Sequence, residues 1–112
     1  MLFRSNGRPG PAHVFELREE LSLSAEQISA VTEAFNNMRA AAILAGERLI
    51  NAETALDAAF AEGQLDENVL ARLLSESETA RTELRMVHLS AHLATPELLT
   101  QEQIEKYNVF RG

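Results

Sequence analysis

Apolar residues recur at steps of three and four from Ile28 to Ala59, and no proline interrupts them. This spacing puts the apolar side chains on one stripe of an α-helix, so it predicts a long helix that starts at Ser24 and ends before Gly63. The stripe consists of Ile28, Val31, Phe35, Met38, Ala42, Ala45, Leu49, Ala52, Leu56 and Ala59. At 1.5 Å per residue the helix would be roughly 55–60 Å long, which requires a packing partner along its length.

A second stripe provides that partner. It consists of Leu70, Leu73, Ala80, Leu84, Val87 and Ala91. Asp66 is a suitable N-cap for this helix, and Pro96 prevents it from continuing. Because the connection from Gly63 to Leu65 is short, the two helices are expected to be antiparallel neighbours.

Shorter helices are predicted at both ends of this hairpin. The first runs from Pro11 to about Leu21, with Val14 and Leu17 also on its apolar side, and residues 1–10 are interpreted as a flexible lead-in. The last begins at Thr100, and its apolar side carries Ile104, Tyr107 and Phe110. The predicted fold is therefore all-α, a single four-helix domain over residues 11–112 built on a long antiparallel hairpin. Part of the apolar surface of this hairpin is expected to serve as a dimer interface.

The same phrase opens two of these helices, as LSAEQI at residues 23–28 and LTQEQI at residues 99–104. Ser24 and Thr100 are predicted N-caps, and Gln27 and Gln103 stand three residues later, where a capping box places its second side chain. The leucine before each cap and the isoleucine after each glutamine occupy the positions of a hydrophobic staple.

Composition narrows the range of functions. The net charge of −7 and pI near 4.9 argue against nucleic-acid binding, which favours a basic surface. The absence of cysteine excludes disulfides and thiolate metal sites. No apolar run reaches the roughly 20 residues of a membrane span, and Met1–Arg4 is too short for a signal peptide. The sequence contains no nucleophile–base–carboxylate arrangement and no glycine-rich phosphate loop, so we do not expect an enzyme.

Histidines offer one candidate chemistry. His88 and His92 are four residues apart and project from one helix face, as two ligands of Zn, Cu or Ni would, and His13 is the only other histidine. Arg81 and Arg85 lie on the same stripe, and their charges oppose a dication. The alternative interpretation is that His88 lies at the edge of the packed seam and that His92 is solvated or lies in an interface.

A polypeptide-binding surface is the second candidate. It would combine the Arg81 and Arg85 rim with apolar positions of the hairpin, which would also serve as a dimer interface. These positions are Ile28, Val31, Phe35, Met38, Leu49, Leu56, Leu84 and Val87. Ile43, Leu44 and Ile50 lie off the main seam, and residual exposed apolar surface of that kind commonly marks an interaction site. The alternative is an intramolecular core with a solvated, ion-paired rim.

The two capping phrases, the hairpin between them and the segment HLSAHLATPELLTQEQ at residues 88–103, followed by Tyr107, resemble the LTxxQ-motif superfamily. This superfamily includes Spy/CpxP-type periplasmic chaperones and ZraP/CnrX-type heavy-metal sensors, and the resemblance covers roughly residues 11–112. It implies a bent four-helix hairpin, an intertwined antiparallel homodimer, ATP-independent binding of unfolded proteins and a periplasmic location. In the sensor branch it implies a dication held by His, Glu and Met side chains. Here His88 and His92 match the third-helix pattern, and His13 stands alone in the first helix.

We therefore expect a periplasmic stress-response protein whose dimer binds unfolded or client proteins, or a membrane-bound signalling partner, without a required cofactor. The first alternative is a periplasmic sensor or resistance protein that binds Zn, Cu or Ni. The second alternative is a structural or adaptor hairpin.

Overall fold

The computed structural model describes residues 9–63 and 65–111, with side chains up to Phe110, and within these residues the fold is all-α. Helix α1 spans Pro11–Glu16, α2 spans Ala25–Glu62, α3 spans Glu67–Ala94 and α4 spans Gln101–Arg111. A single 3-10 turn, Thr95–Leu98, connects α3 to α4. The predicted all-α class, the long helical pair and the short end helices are confirmed.

The apolar stripes are the packed faces of the two long helices. All ten predicted positions on α2 are buried or half-buried, and so are the six predicted on α3. Ser77 fills the remaining position of the α3 stripe and is also buried. The heptad-type spacing therefore identifies the face that each helix turns inward.

The chain divides into two compact units. Unit 1 comprises the described residues up to Arg39 and from His88 onward, and unit 2 comprises Ala40–Val87. The core of unit 1 is a cluster of four buried side chains with a half-buried ring of apolar neighbours around it. The cluster consists of Val14, Leu21, Val31 and Tyr107, and the ring consists of Phe15, Leu17, Leu23, Leu98 and Leu99.

Helix α1 is shorter than the sequence predicts, because regular helix ends at Glu16 rather than near Leu21. The Phe15 carbonyl accepts a hydrogen bond from the Arg18 backbone N–H at 3.2 Å and a second from the Arg18 guanidinium at 2.9 Å. These bonds occupy the acceptor that a continuing α-helix would offer to residue 19. The same guanidinium lies 4.2 Å from the centre of the Phe15 ring.

A Schellman motif then turns the chain toward α2. The Leu23 N–H donates to the Arg18 carbonyl and the Ser22 N–H donates to the Glu19 carbonyl, both at 3.0 Å. Ser22 occupies the left-handed position of the motif with φ +55°, where glycine is usual.

Both capping boxes form. Ser24 Oγ accepts from the Gln27 N–H at 3.1 Å, and Gln27 Oε1 accepts from the Ser24 N–H at 2.9 Å. The second box has the same two distances between Thr100 and Gln103.

The two boxes are also bonded to each other, although their glutamines are 76 residues apart. Gln27 Nε2 donates to Gln103 Oε1 at 2.7 Å and to the Leu98 carbonyl at 3.0 Å. Gln103 Nε2 donates to Gln27 Oε1 at 3.1 Å and to the Leu21 carbonyl at 3.3 Å. Each side-chain amide thus makes both of its donor and both of its acceptor contacts. This reciprocal arrangement, the glutamine pair, joins the start of α2 to the start of α4.

Unit 2 is an antiparallel helical hairpin. Gly63 ends α2 in the left-handed conformation with φ +71°, and Asp66 Oδ1 caps α3 by accepting from the Val69 N–H at 2.9 Å. Ala45, Leu73 and Ala80 are buried between the helices. Gln64 lies outside the described residues.

The predicted flexible lead-in does not extend to Pro9 and Gly10, because both are buried. A Cβ atom at Gly10 would stand 3.0 Å from Cε1 and Nε2 of His92, so the imidazole packs directly on the glycine backbone. Residues 1–8 lie outside the described part of the chain.

Candidate functional site

An open groove follows one side of the unit 2 hairpin. Its wider part has a volume of about 660 Å³ and a second part of about 470 Å³ continues it, with both parts sharing Arg48, Ser75, Thr79 and Glu83. Alanine, serine and threonine supply half of its sixteen lining residues. The α2 side consists of Ala41, Leu44, Ala45, Arg48, Asn51, Ala52 and Ala55, and the α3 side consists of Ser75, Glu76, Glu78, Thr79, Ala80, Thr82, Glu83, Met86 and Val87.

Two large apolar side chains stand in the wider part of this groove. Leu44 is 55% exposed and Met86 is 61% exposed, one from each helix. Single exposed apolar residues are common on protein surfaces, whereas two that line one concave surface make that surface a candidate interaction site. Methionine adds an adaptable, polarizable side chain of the kind found at promiscuous binding surfaces.

Ion pairs border the groove. Arg48 Nη1 donates to Glu83 Oε2 at 3.2 Å, which links the two helices, and Glu76 pairs with Arg72 at 3.2 Å. Unit 2 as a whole contains nine acidic and four basic residues, so it carries −5 of the chain's net charge of −7. The groove therefore belongs to a unit of net negative charge, and its three lining carboxylates are each paired with an arginine: Glu76 with Arg72, Glu78 with Arg81 and Glu83 with Arg48.

The residues predicted as a client and dimer surface lie mainly inside the fold. Val31 is 0% exposed in the core of unit 1, so its assignment to a client surface is wrong. The other apolar members are half-buried on the packed stripes: Ile28, Phe35, Met38, Leu49, Leu56, Leu84 and Val87. Of these, only Val87 lines the groove. The physical reason is that a heptad stripe marks the face with the largest apolar area, and the facing helix covers that face first.

The exposed apolar residues are those off the stripes. Ile43, Leu44 and Ile50, which the sequence places outside the seam, are all exposed. The sequence analysis did not identify Met86 as an exposed apolar residue. Its angular distance from the α3 stripe would have indicated that exposure. The remaining large exposed apolar residues in the described chain are Phe60, Leu74, Leu93, Val109 and Phe110. The sequence predicts both Tyr107 and Phe110 on the packed side of α4; Tyr107 is buried there, whereas Phe110 is exposed.

The predicted arginine rim is largely ion-paired. Arg81 donates to Glu53 Oε1 at 2.7 Å and lies 3.6 Å from Glu78, while Arg85 is exposed. Ser77 Oγ donates to the same Glu53 oxygen at 3.0 Å, which ties a buried hydroxyl to the network. The Arg81 charge is therefore engaged by carboxylates of its own unit.

The three histidines occupy different surroundings. His88 is exposed, His13 is exposed and lies 3.9 Å from Glu16, and His92 is half-buried against Gly10. Within residues 9–63 and 65–111, no three or more histidine, aspartate and glutamate side chains form a group that could hold a metal ion. Accordingly, His13, His88 and His92 do not form one such group.

Comparison with known proteins found no matching family model, no matching curated protein and no matching solved structure. None of the helices in the described part of the chain combines the length and the apolar character needed to cross a membrane.

Proposed function

We propose that this protein is a non-catalytic, ATP-independent polypeptide-binding protein of the Spy/CpxP type, which holds apolar segments of unfolded client proteins in the groove of unit 2. The observation that carries the proposal is the pairing of exposed Leu44 and exposed Met86 in one open groove about 660 Å³ in volume. An apolar segment seated there would bury the exposed parts of both side chains, and each would contribute a little over half of the about 1.5–3 kcal/mol that full burial of such a side chain gives.

The capping boxes support the Spy/CpxP type of organisation. In the sequence they carry the resemblance, and in the structure they bond to each other through the glutamine pair. The homodimer and the periplasmic location belong to the same proposal, and they rest on the resemblance. Sedimentation equilibrium tests the dimer, and cell fractionation of the natural gene product tests the location.

Suppression of aggregation tests the binding function. A chemically denatured test protein is diluted into buffer with an equimolar amount of this protein, and light scattering is followed. We expect the wild type to reduce scattering strongly, and the Leu44→Gln/Met86→Gln variant to lose most of that effect. Both positions are exposed, so these changes should leave the fold intact, which circular dichroism checks.

The matched control is Val109→Gln/Phe110→Gln, which removes two exposed apolar side chains from α4 in unit 1. This control should protect the test protein as well as the wild type does. If the wild type gives no protection, the proposed function is wrong. If the two double variants lose protection equally, the groove is not the binding surface.

A further inference from the structure

We propose that the groove of unit 2 selects cationic amphipathic helices, in which large apolar side chains on one face are flanked by lysine or arginine. This inference rests on the proposed function and names the class of segment that the groove binds. Two observations support this inference: the shape of the groove, and the net charge of the unit that contains the groove.

The shape matches a helix. Lining positions on α2 recur from Ala41 to Ala55 at steps of three and four, so the groove runs parallel to the helix axis for about 21 Å. A trough between two antiparallel helices accepts the ridge of side chains on a third helix. Recognition of this kind depends on apolar anchors at positions i, i+3 or i+4, and i+7 of the bound segment. The groove is long enough for about four turns of helix.

The charge favours a cationic occupant. Three glutamates (Glu76, Glu78 and Glu83) and one arginine (Arg48) line the groove, two further arginines pair with glutamates at its border, and unit 2 as a whole carries a net charge of −5. Lysine or arginine beside the apolar anchors would therefore meet a surplus of carboxylates, and acidic segments would be repelled. A second copy of unit 2 is a less favourable occupant, because it carries the same net charge of −5 and would be repelled.

The test uses three fluorescein-labelled peptides with one apolar helical face and identical length. Their flanking positions carry lysine, glutamine or glutamate, and fluorescence anisotropy gives the affinity of the full chain for each. We expect the lysine peptide to bind roughly tenfold more tightly than the glutamine peptide, from several exposed charge pairs acting together. The glutamate peptide should bind most weakly.

A pair of variants locates the binding. Thr79→Arg places a long cationic side chain in the part shared by both stretches of the groove, whereas Thr54→Arg makes the same charge change at an exposed α2 position outside it. We expect Thr79→Arg to lower the affinity for the lysine peptide at least about tenfold. Thr54→Arg should lower that affinity no more than about twofold, since one added charge acts weakly at a distance.

The outcomes separate the two proposals. Equal binding of all three peptides, with suppression of aggregation intact, would overturn the charge selection and leave the proposed function standing. Failure of every peptide together with absence of protection would overturn both. Equal weakening by the two arginine variants would place the binding outside the groove. A homodimer that Thr79→Arg dissociates and Thr54→Arg does not would show that a second copy covers the groove, which also overturns the inference.

Discussion

At the scale of single residues, the glutamine pair shows what a short sequence phrase specifies and what it leaves open. The phrase predicts that Gln27 and Gln103 each return to their own N-cap, and the structure shows these bonds. It does not predict that each glutamine also bonds the other glutamine and donates to a carbonyl just before the other box. A capping box is a local motif, whereas the pairing depends on how the start of α4 meets the start of α2. The spacing of apolar residues along the chain does not determine how these two helix starts pack against each other.

The glutamine pair leads to a stability prediction. Gln27→Ala removes a cap interaction and leaves donor and acceptor groups of Gln103 without their partner, so it should lower the free energy of unfolding by about 1–3 kcal/mol. Gln103→Ala should cost a similar amount. The double variant should cost clearly less than the sum, with a coupling of at least about 1 kcal/mol, because the second change removes groups that the first has already orphaned.

Urea denaturation of the four proteins in this cycle measures the coupling. Gln101→Ala is the control, since Gln101 is an exposed residue in the first turn of α4, and it should change stability by less than about 0.5 kcal/mol. Additive effects of the two central substitutions would show that the boxes act independently.

At the scale of elements, the sequence predicts the long helices better than their neighbours. The stripes on α2 and α3, the Asp66 cap and the left-handed Gly63 all follow from spacing and residue type. The early end of α1 does not, because it depends on the Arg18 side chain bonding the Phe15 carbonyl. The position of the groove also could not be predicted from the sequence. It requires knowing which side of each stripe remains uncovered once the hairpin has closed.

The turn after α1 offers a prediction at this scale. A residue with a Cβ atom costs roughly 1–2 kcal/mol in the left-handed conformation that Ser22 adopts, and glycine avoids most of that cost. After the greater chain entropy of unfolded glycine is counted, Ser22→Gly should raise the free energy of unfolding by about 0.5–1 kcal/mol.

The matched control is Ser29→Gly, which makes the same substitution at an exposed position within α2. There glycine should lower stability by roughly 0.5 kcal/mol, because it is a poorer helix former than serine. Thermal unfolding followed by circular dichroism gives both values. Destabilisation by Ser22→Gly would mean that the Schellman turn does not persist in solution.

At the scale of the whole molecule, charge distinguishes the two kinds of association that we propose. The chain has seventeen acidic and ten basic residues, so two copies repel each other. A cationic helix is instead attracted to unit 2. Salt screens both effects, since the Debye length falls from about 30 Å at 0.01 M to about 10 Å at 0.1 M ionic strength. The same change of buffer should therefore move the two equilibria in opposite directions.

We expect that raising the ionic strength from about 0.01 M to about 0.1 M will lower the affinity for the lysine peptide several-fold, because the attraction between peptide and unit 2 is screened. The same change should raise the association constant of the homodimer, because the repulsion between the two copies is screened. Anisotropy measures the peptide, and sedimentation equilibrium measures the dimer. The glutamine peptide is the internal control, and its affinity should stay within about twofold because it carries no flanking charge. A dimer that weakens with salt would have to be held by complementary charges between the copies. That result would contradict the prediction, because it would show that repulsion between two chains of charge −7 does not dominate the contact.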